Sequence, residues 1–236
     1  MSIAANLSGL WRNYAERAAV PGCSDLTPEL VEQCNTKPSE DLSLYELVYS
    51  VIDTETTGLR PDAGDEVISV ACVRVVSAKI QNDYFYTLVD PEREVPELAA
   101  TITGITTERV QGQPVLEKVL PRMLREMAGG VITGFNIQFD LVFLNNGLKR
   151  KCGTTLNPPM VLDVLSLCRI LKPRARTFGL GAMAREYQIS VKDRHNALGD
   201  ALITARLLLC LLPELEARGV RTLRDLRHFL RYHAFY

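Results

Sequence analysis

Between Leu47 and Asp90 the apolar residues gather in three runs, LVYSVID, VISVACVRVV and IQNDYFYTLVD, separated by the turn-like stretches GLRPDAGDE and SAK. Runs of this length, rich in Val, Ile and Tyr and bounded by Gly, Pro and Asp, read as strands, and links this short favour an antiparallel meander. After Pro91 the period lengthens. It predicts a helix near Val115 to Met127, a strand at VITG, a helix from about Phe139 to Lys149 and a short strand at MVLDV. Strands that alternate with helices pair in parallel. From Ser166 onward the pattern is helical, and it ends in a segment with Leu223, Leu226, Phe229 and Leu230 on one side.

Ahead of the first strand, Leu7, Leu10, Trp11, Tyr14 and Ala18 recur at three- and four-residue steps, one face of an amphipathic helix. Thr27 followed by Pro28 has the chemistry of a second helix start, a capping hydroxyl before a proline at the first helical position. The polar stretch NTKPSED follows. Residues 1–46 are therefore read as a helical extension, available to a protein partner, and residues 47–236 as the main domain.

A chain of 236 residues, 47% of them apolar, can bury one substantial core. Its net charge of −1 lacks the positive excess that a protein coating duplex nucleic acid non-specifically needs, but allows a local grip on one strand end. The six cysteines are scattered, with no CxxC pair, and read as reduced thiols of a cytoplasmic protein. The longest apolar run, Ala197 to Leu212, is broken by Asp200 and Arg206, so no membrane span is expected. The N-terminus has no basic stretch leading into an apolar core, as a secretory signal would.

Three segments carry candidate chemistry. In VIDTETTGL, Asp53 and Glu55 close an apolar strand, and alternation places both carboxylates on one face. Side-by-side anions repel near a core unless a cation neutralises them, and oxygen ligands suit Mg²⁺ or Mn²⁺; the alternative is that they merely end the strand. In GFNIQFDLVFLNNGL, Asp140 stands at the start of an apolar helix, where an acid also simply complements the helix dipole. In RHNALGDALITARLLL, Asp200 interrupts the apolar face of a long helix, and an unpartnered carboxylate there has no structural rationale. On one continuous helix His195 and Asp200 would point roughly 140° apart. They share a site only if the helix begins at Asn196, a good N-cap, leaving His195 on the loop before it. A lone histidine is more often surface decoration than catalyst.

DxE, then D, then HxxxxD is the motif order of the DEDDh (DnaQ-like) 3′-to-5′ exonuclease family, which includes the proofreading subunit of bacterial DNA polymerase III and RNase T. The chain resembles that family over roughly residues 46 to 212. The resemblance implies an α/β, ribonuclease-H-like mixed five-stranded sheet flanked by helices, here with the N-terminal helical extension. It implies metal ligands at Asp53, Glu55, Asp140 and Asp200, and a general base at His195. It further implies that Leu59 and Ile105 wedge against the terminal base and that Thr56 and Asn136 lie near the terminal nucleotide. Many relatives have histidine before GIT, where this chain has Thr103. Asp163, in VLDVL, matches a recurrent acid of the family and is read as structural.

The function so implied is hydrolysis of phosphodiesters at single-stranded or frayed 3′ ends of DNA or RNA, releasing nucleoside 5′-monophosphates. Two Mg²⁺ or Mn²⁺ ions would balance the four carboxylates. Strand grip is expected from Lys149, Arg150 and Lys151 and from KPRARTFGL with Arg169, Lys172, Arg174 and Arg176, although any one of these suits a solvated surface equally. Arg218, Arg221, Arg224, Arg227 and Arg231 form a second series that would bind nucleic acid, bind a partner, or only solubilise a helix. The rivals are an endonuclease on the same fold and a non-catalytic nucleic-acid- or partner-binding module. The module is disfavoured because all five motif residues are present.

Overall fold

The computed structural model describes residues 25–233. The helix expected around Leu7 to Ala18 lies outside them. The described chain begins with helix α1 (Pro28–Asn35), where the Thr27 hydroxyl accepts from the Leu30 amide and Pro28 occupies the first turn. Its apolar face, Leu30, Val31 and Cys34, is buried against helix α4 (Leu116–Met127), and the Cys34 thiol donates to the Leu124 carbonyl.

The sheet is built on strand β1 (Tyr49–Thr56), which pairs antiparallel with β2 (Val67–Val76) and parallel with β5 (Val131–Gly134); β6 (Val161–Asp163) then adds to β5 in parallel. The far side of β2 carries two short strands, β3 (Lys79–Ile80) and β4 (Phe85–Leu88), both antiparallel to it. The third apolar run, expected as one strand, is thus broken at Gln81–Tyr84. The sheet has six strands, while its hydrogen-bonded order β3-β2-β1-β5-β6 keeps five positions. The polar QND stretch offers nothing to bury, so the chain leaves the sheet there and rejoins it farther along the same edge.

Both faces of the sheet are covered. Tyr49, Val51, Ala71 and Val73 pack with the long helix α8 (Ala197–Glu216), joined by α6 (Val164–Leu171) and α7 (Leu180–Glu186). Ile52, Val70, Cys72 and Ile132 pack with α1, α4 and α5 (Gln138–Gly147), whose last turn runs on as a wider turn over Leu148–Cys152. Helices α2 (Glu97–Thr103) and α3 (Thr107–Val110) close one end over a small cluster around Ile68.

Segment 40–44 runs beside residues 221–224, with Leu44 donating to the Arg221 carbonyl and Leu223 to that of Leu42. The C-terminal helix α9 (Leu223–His233) therefore turns much of its arginine series to this segment: Arg224 pairs with Asp41 at 2.7 Å, and Arg227 pairs with Glu40. The cysteine reading needs a correction. Cys34, Cys72, Cys168 and Cys210 are free thiols, but Cys152 is disulfide-bonded. Linear spacing does not show which sulfurs a fold brings together. Among the described residues no helix is long and apolar enough to cross a membrane.

Candidate active site

Alternation along β1 decides how its polar end is divided. Tyr49, Val51, Asp53 and Glu55 point to the α8 side of the sheet, and Ile52 and Thr54 to the α5 side. The two carboxylates so meet Asp200 in the first turn of α8, and Asp53, Glu55 and Asp200 offer oxygens that all lie within 4.8 Å of one another. A bulge in the β1–β2 pairing between Glu55 and Thr56 ends the regular ladder just beyond them.

Asp140, in the first turn of α5, is buried on the other side of β1. Its Oδ1 accepts from the Thr54 amide at 2.8 Å and from the Thr54 hydroxyl at 2.7 Å. It is not one of the three converging carboxylates. This oxygen ties α5 to β1. Burial, offset by the Thr54 hydrogen bonds, pushes its carboxyl up to about 7.

Helix α8 begins where Asn196 caps it: the Asn196 side chain accepts from the Gly199 amide at 3.2 Å, and His195 lies on the preceding loop. The histidine is exposed and holds a left-handed backbone, φ 62°. That bend aims the His195 amide at Asp200 Oδ2, 3.4 Å away. The loop sits so close to the helix that a Cβ on Gly199 would lie 1.9 Å from the Asp193 carbonyl oxygen, which is why this position takes no side chain. Arg194, on the same loop, places a guanidinium nitrogen 3.4 Å from Asp200 Oδ2.

The electrostatics fit a divalent cation. Asp200 Oδ1 is buried and has no hydrogen-bond partner among the described residues. Burial, then the Asp200 and Asp140 charges, raise Glu55 to about 7. Burial and the neighbouring carboxylates hold Asp53 well above the usual carboxylate range, and burial raises Asp200 against the pull of Arg194. Arg194 alone cannot balance three carboxylates, whereas a divalent ion with oxygen ligands can.

These carboxyls hold protons more tightly folded than unfolded, so the cluster's contribution is most favourable below the unfolded carboxyl range near pH ~4 and falls as pH rises through about 7. In chelator, the melting temperature should therefore fall across that window. Restoring a divalent ion should raise it by several degrees at pH 8 and much less at pH 5. Equal gains at both pH values would place the ion elsewhere.

The segment ETTGL leaves β1 in a loop braced by Asp65, which accepts from the Thr57 hydroxyl at 3.2 Å and the Arg60 amide at 3.0 Å. Gly58 is needed there, since a Cβ would meet the Asp65 carboxylate at 2.3 Å. The brace holds Leu59 out, 79% exposed, while the Thr56 hydroxyl is turned inward and donates to the Gly58 carbonyl at 2.5 Å. Asn136 is exposed with φ 62°, its amide donating to Asp163 Oδ1 at 2.8 Å. Asp163 also caps α6 through the Leu165 amide, which is the structural part expected of it.

Ile105, expected beside the terminal base, is 1% exposed and packs with Ile68, Val95, Ala99 and Val110. Gly104 ends α2 in the left-handed region and turns the chain inward at this point, and the exposed apolar side chains there belong to Leu98 and Ile102 of α2. Sequence reasoning also passed over Thr54, which holds Asp140, and Arg194, which faces Asp200. Alternation in β1 could have indicated Thr54; nothing in KDRHN marks Arg194 as folding back.

Residues 50–208 match the RNase T exonuclease family, and the chain belongs to it. Among relatives, a DNA polymerase III subunit epsilon-like protein of Rhodobacter capsulatus is 37% identical over 185 residues, which are 76% of this chain and 26% of that protein. A PolC-type DNA polymerase III of Thermotoga petrophila is 30% identical over 190 residues, 80% of this chain and 14% of the polymerase. The chain thus spans only a fraction of the length of these relatives. Among solved structures, exonuclease X in complex with 5′ overhanging duplex DNA superposes with a TM-score of 0.55 at 26% identity, covering 70% of this chain and 92% of that one. The nuclease domain of 3′hExo, a DEDDh family member bound to rAMP, superposes with a TM-score of 0.62 at 20% identity, covering 73% of this chain and 95% of that one. The last shows the fold.

Proposed function

We propose that the chain is a 3′-to-5′ exonuclease that uses two Mg²⁺ or Mn²⁺ ions to release nucleoside 5′-monophosphates from single-stranded or frayed 3′ ends of DNA. The observation that carries this reading is the convergence of Asp53, Glu55 and Asp200 within 4.8 Å, with a buried Asp200 oxygen that has no hydrogen-bond partner among the described residues. Asp53, Glu55 and Asp200 would hold the ions, with Asp140 offering the oxygen not engaged by Thr54. Divalent ions held there would supply positive charge against the phosphate and would make an attacking water more acidic. His195, on its loop, would accept a proton from the attacking water, and Arg194 lies close enough to counter Asp200. The exposed Leu59 meets the terminal base once it is unstacked.

End-labelled single-stranded and duplex DNA and RNA, offered with Mn²⁺ and resolved by length, test the proposal. We expect stepwise shortening from a free 3′ end, arrest by a blocked 3′ terminus, and no reaction in excess chelator. Cutting of a closed circular single strand would favour an endonuclease instead. Leu59→Ala should raise KM several-fold with a smaller change in kcat, because it gives up packing against the base and nothing at the reacting phosphate. Unaltered kinetics would remove Leu59 from the site.

A further inference from the structure

The structure divides the candidate basic residues into those neutralised by protein carboxylates and those that are not. Arg150 lies 2.7 Å from Glu66, Lys151 2.6 Å from Glu92, and Lys172 2.9 Å from Glu214. Arg169 and Arg176 are exposed and make no ion pair or side-chain hydrogen bond among the described residues. They line a cleft of about 720 Å³ whose wall also includes Asp53, Asp200 and the half-buried ring of Phe178. Arg194 shares the cleft, but its charge is engaged by Asp200. Arg174 lies on the same loop as Arg176, is equally unpaired, and does not line the cleft.

We infer that Arg169 and Arg176, with Phe178, form a subsite for the nucleotide next to the one being removed: the guanidiniums hold its phosphate and the ring its base. The inference rests on the proposed exonuclease function and goes further, in assigning the grip on the rest of the strand to particular residues. A cleft with carboxylates on one wall and free guanidiniums on another suits a ligand that brings both a cation-bound phosphate and a further anion, which is what a strand of nucleic acid brings. Guanidinium forks match phosphate oxygens in two-point geometry, and a flat aromatic face accepts any base. With a net charge of −1, the chain has no general surplus of positive charge to do this instead.

The test compares a single strand of about ten thymidines, within the usual single-strand site size, with the p-nitrophenyl ester of thymidine 5′-monophosphate, which carries the reacting phosphodiester and no neighbouring phosphate. For Arg169→Gln/Arg176→Gln we expect KM on the oligonucleotide to rise about tenfold or more, with kcat within a few-fold of wild type. The salt dependence of log KM should flatten by roughly 0.7 for each phosphate that the protein no longer neutralises. Arg174→Gln should change neither. Phe178→Leu keeps an apolar side chain against the core and removes the flat face, so it should weaken oligonucleotide binding about five- to a hundredfold. An unchanged oligonucleotide KM in the double variant overturns the inference. So does an equal loss on the ester, because the arginines would then act at the reacting phosphate. A wild type that cleaves neither substrate overturns the exonuclease reading itself. Anisotropy of a labelled, 3′-blocked oligonucleotide in Ca²⁺ still tests the arginines in that case, and equal affinity of wild type and double variant refutes their role.

Discussion

Asp53→Asn is expected to abolish nearly all turnover, a loss of orders of magnitude, while leaving the protein folded and, in chelator, as stable as wild type or more so. Asp53 is held well above its usual protonation range by burial and by Asp140, Asp200 and Glu55. Replacing it with a neutral amide of the same shape removes one of the mutually repelling charges and one ligand for the cation that would neutralise them. Activity and metal-free stability should thus move in opposite directions, as is common where an active site is built at the expense of stability. Asp140 should behave differently. Asp140→Ala leaves the Thr54 amide and hydroxyl without an acceptor in a buried setting, a penalty of about 1–3 kcal/mol on top of the lost activity. Single-turnover rates with Mn²⁺ and thermal melts in chelator decide the matter. Wild-type turnover in Asp53→Asn would take the residue out of the metal set, and loss of cooperative melting would make its role structural.

His195→Ala is expected to lose on the order of 10²- to 10⁴-fold in rate, the scale of general-base catalysis, with metal and nucleotide binding retained. The imidazole stands on a loop tied to Asp200 through the His195 amide rather than through its ring, so truncation leaves that tie in place. Any rising limb of the wild-type pH–rate profile that depends on this proton acceptor should be absent from the variant. A limb that survives in the variant belongs to another group. Near-normal turnover with the same pH profile would make the histidine a bystander.

Much of this protein is determined by local pattern alone. The apolar run ending at Asp53 and Glu55 has the composition of a strand, and a strand's period of two put both carboxylates on one side. The Asn196 cap could be read from side-chain chemistry, and with it the separation of His195 from the helix that carries Asp200. The order of the motifs did the rest, because four acids and a histidine at those spacings have few other uses. What the sequence could not determine depends on contacts between segments far apart along the chain. Asp140 spends one oxygen on Thr54, 86 residues away, because alternation turns Thr54 toward α5 while its neighbours face α8. Ile105 looks like any exposed apolar residue of a polar loop until Gly104 turns it beneath α2. Arg150 and Arg176 are indistinguishable as letters. One is neutralised by Glu66 and the other is left facing Asp53 across a cleft, since whether a charge is free depends on which carboxylates the folded chain carries to it.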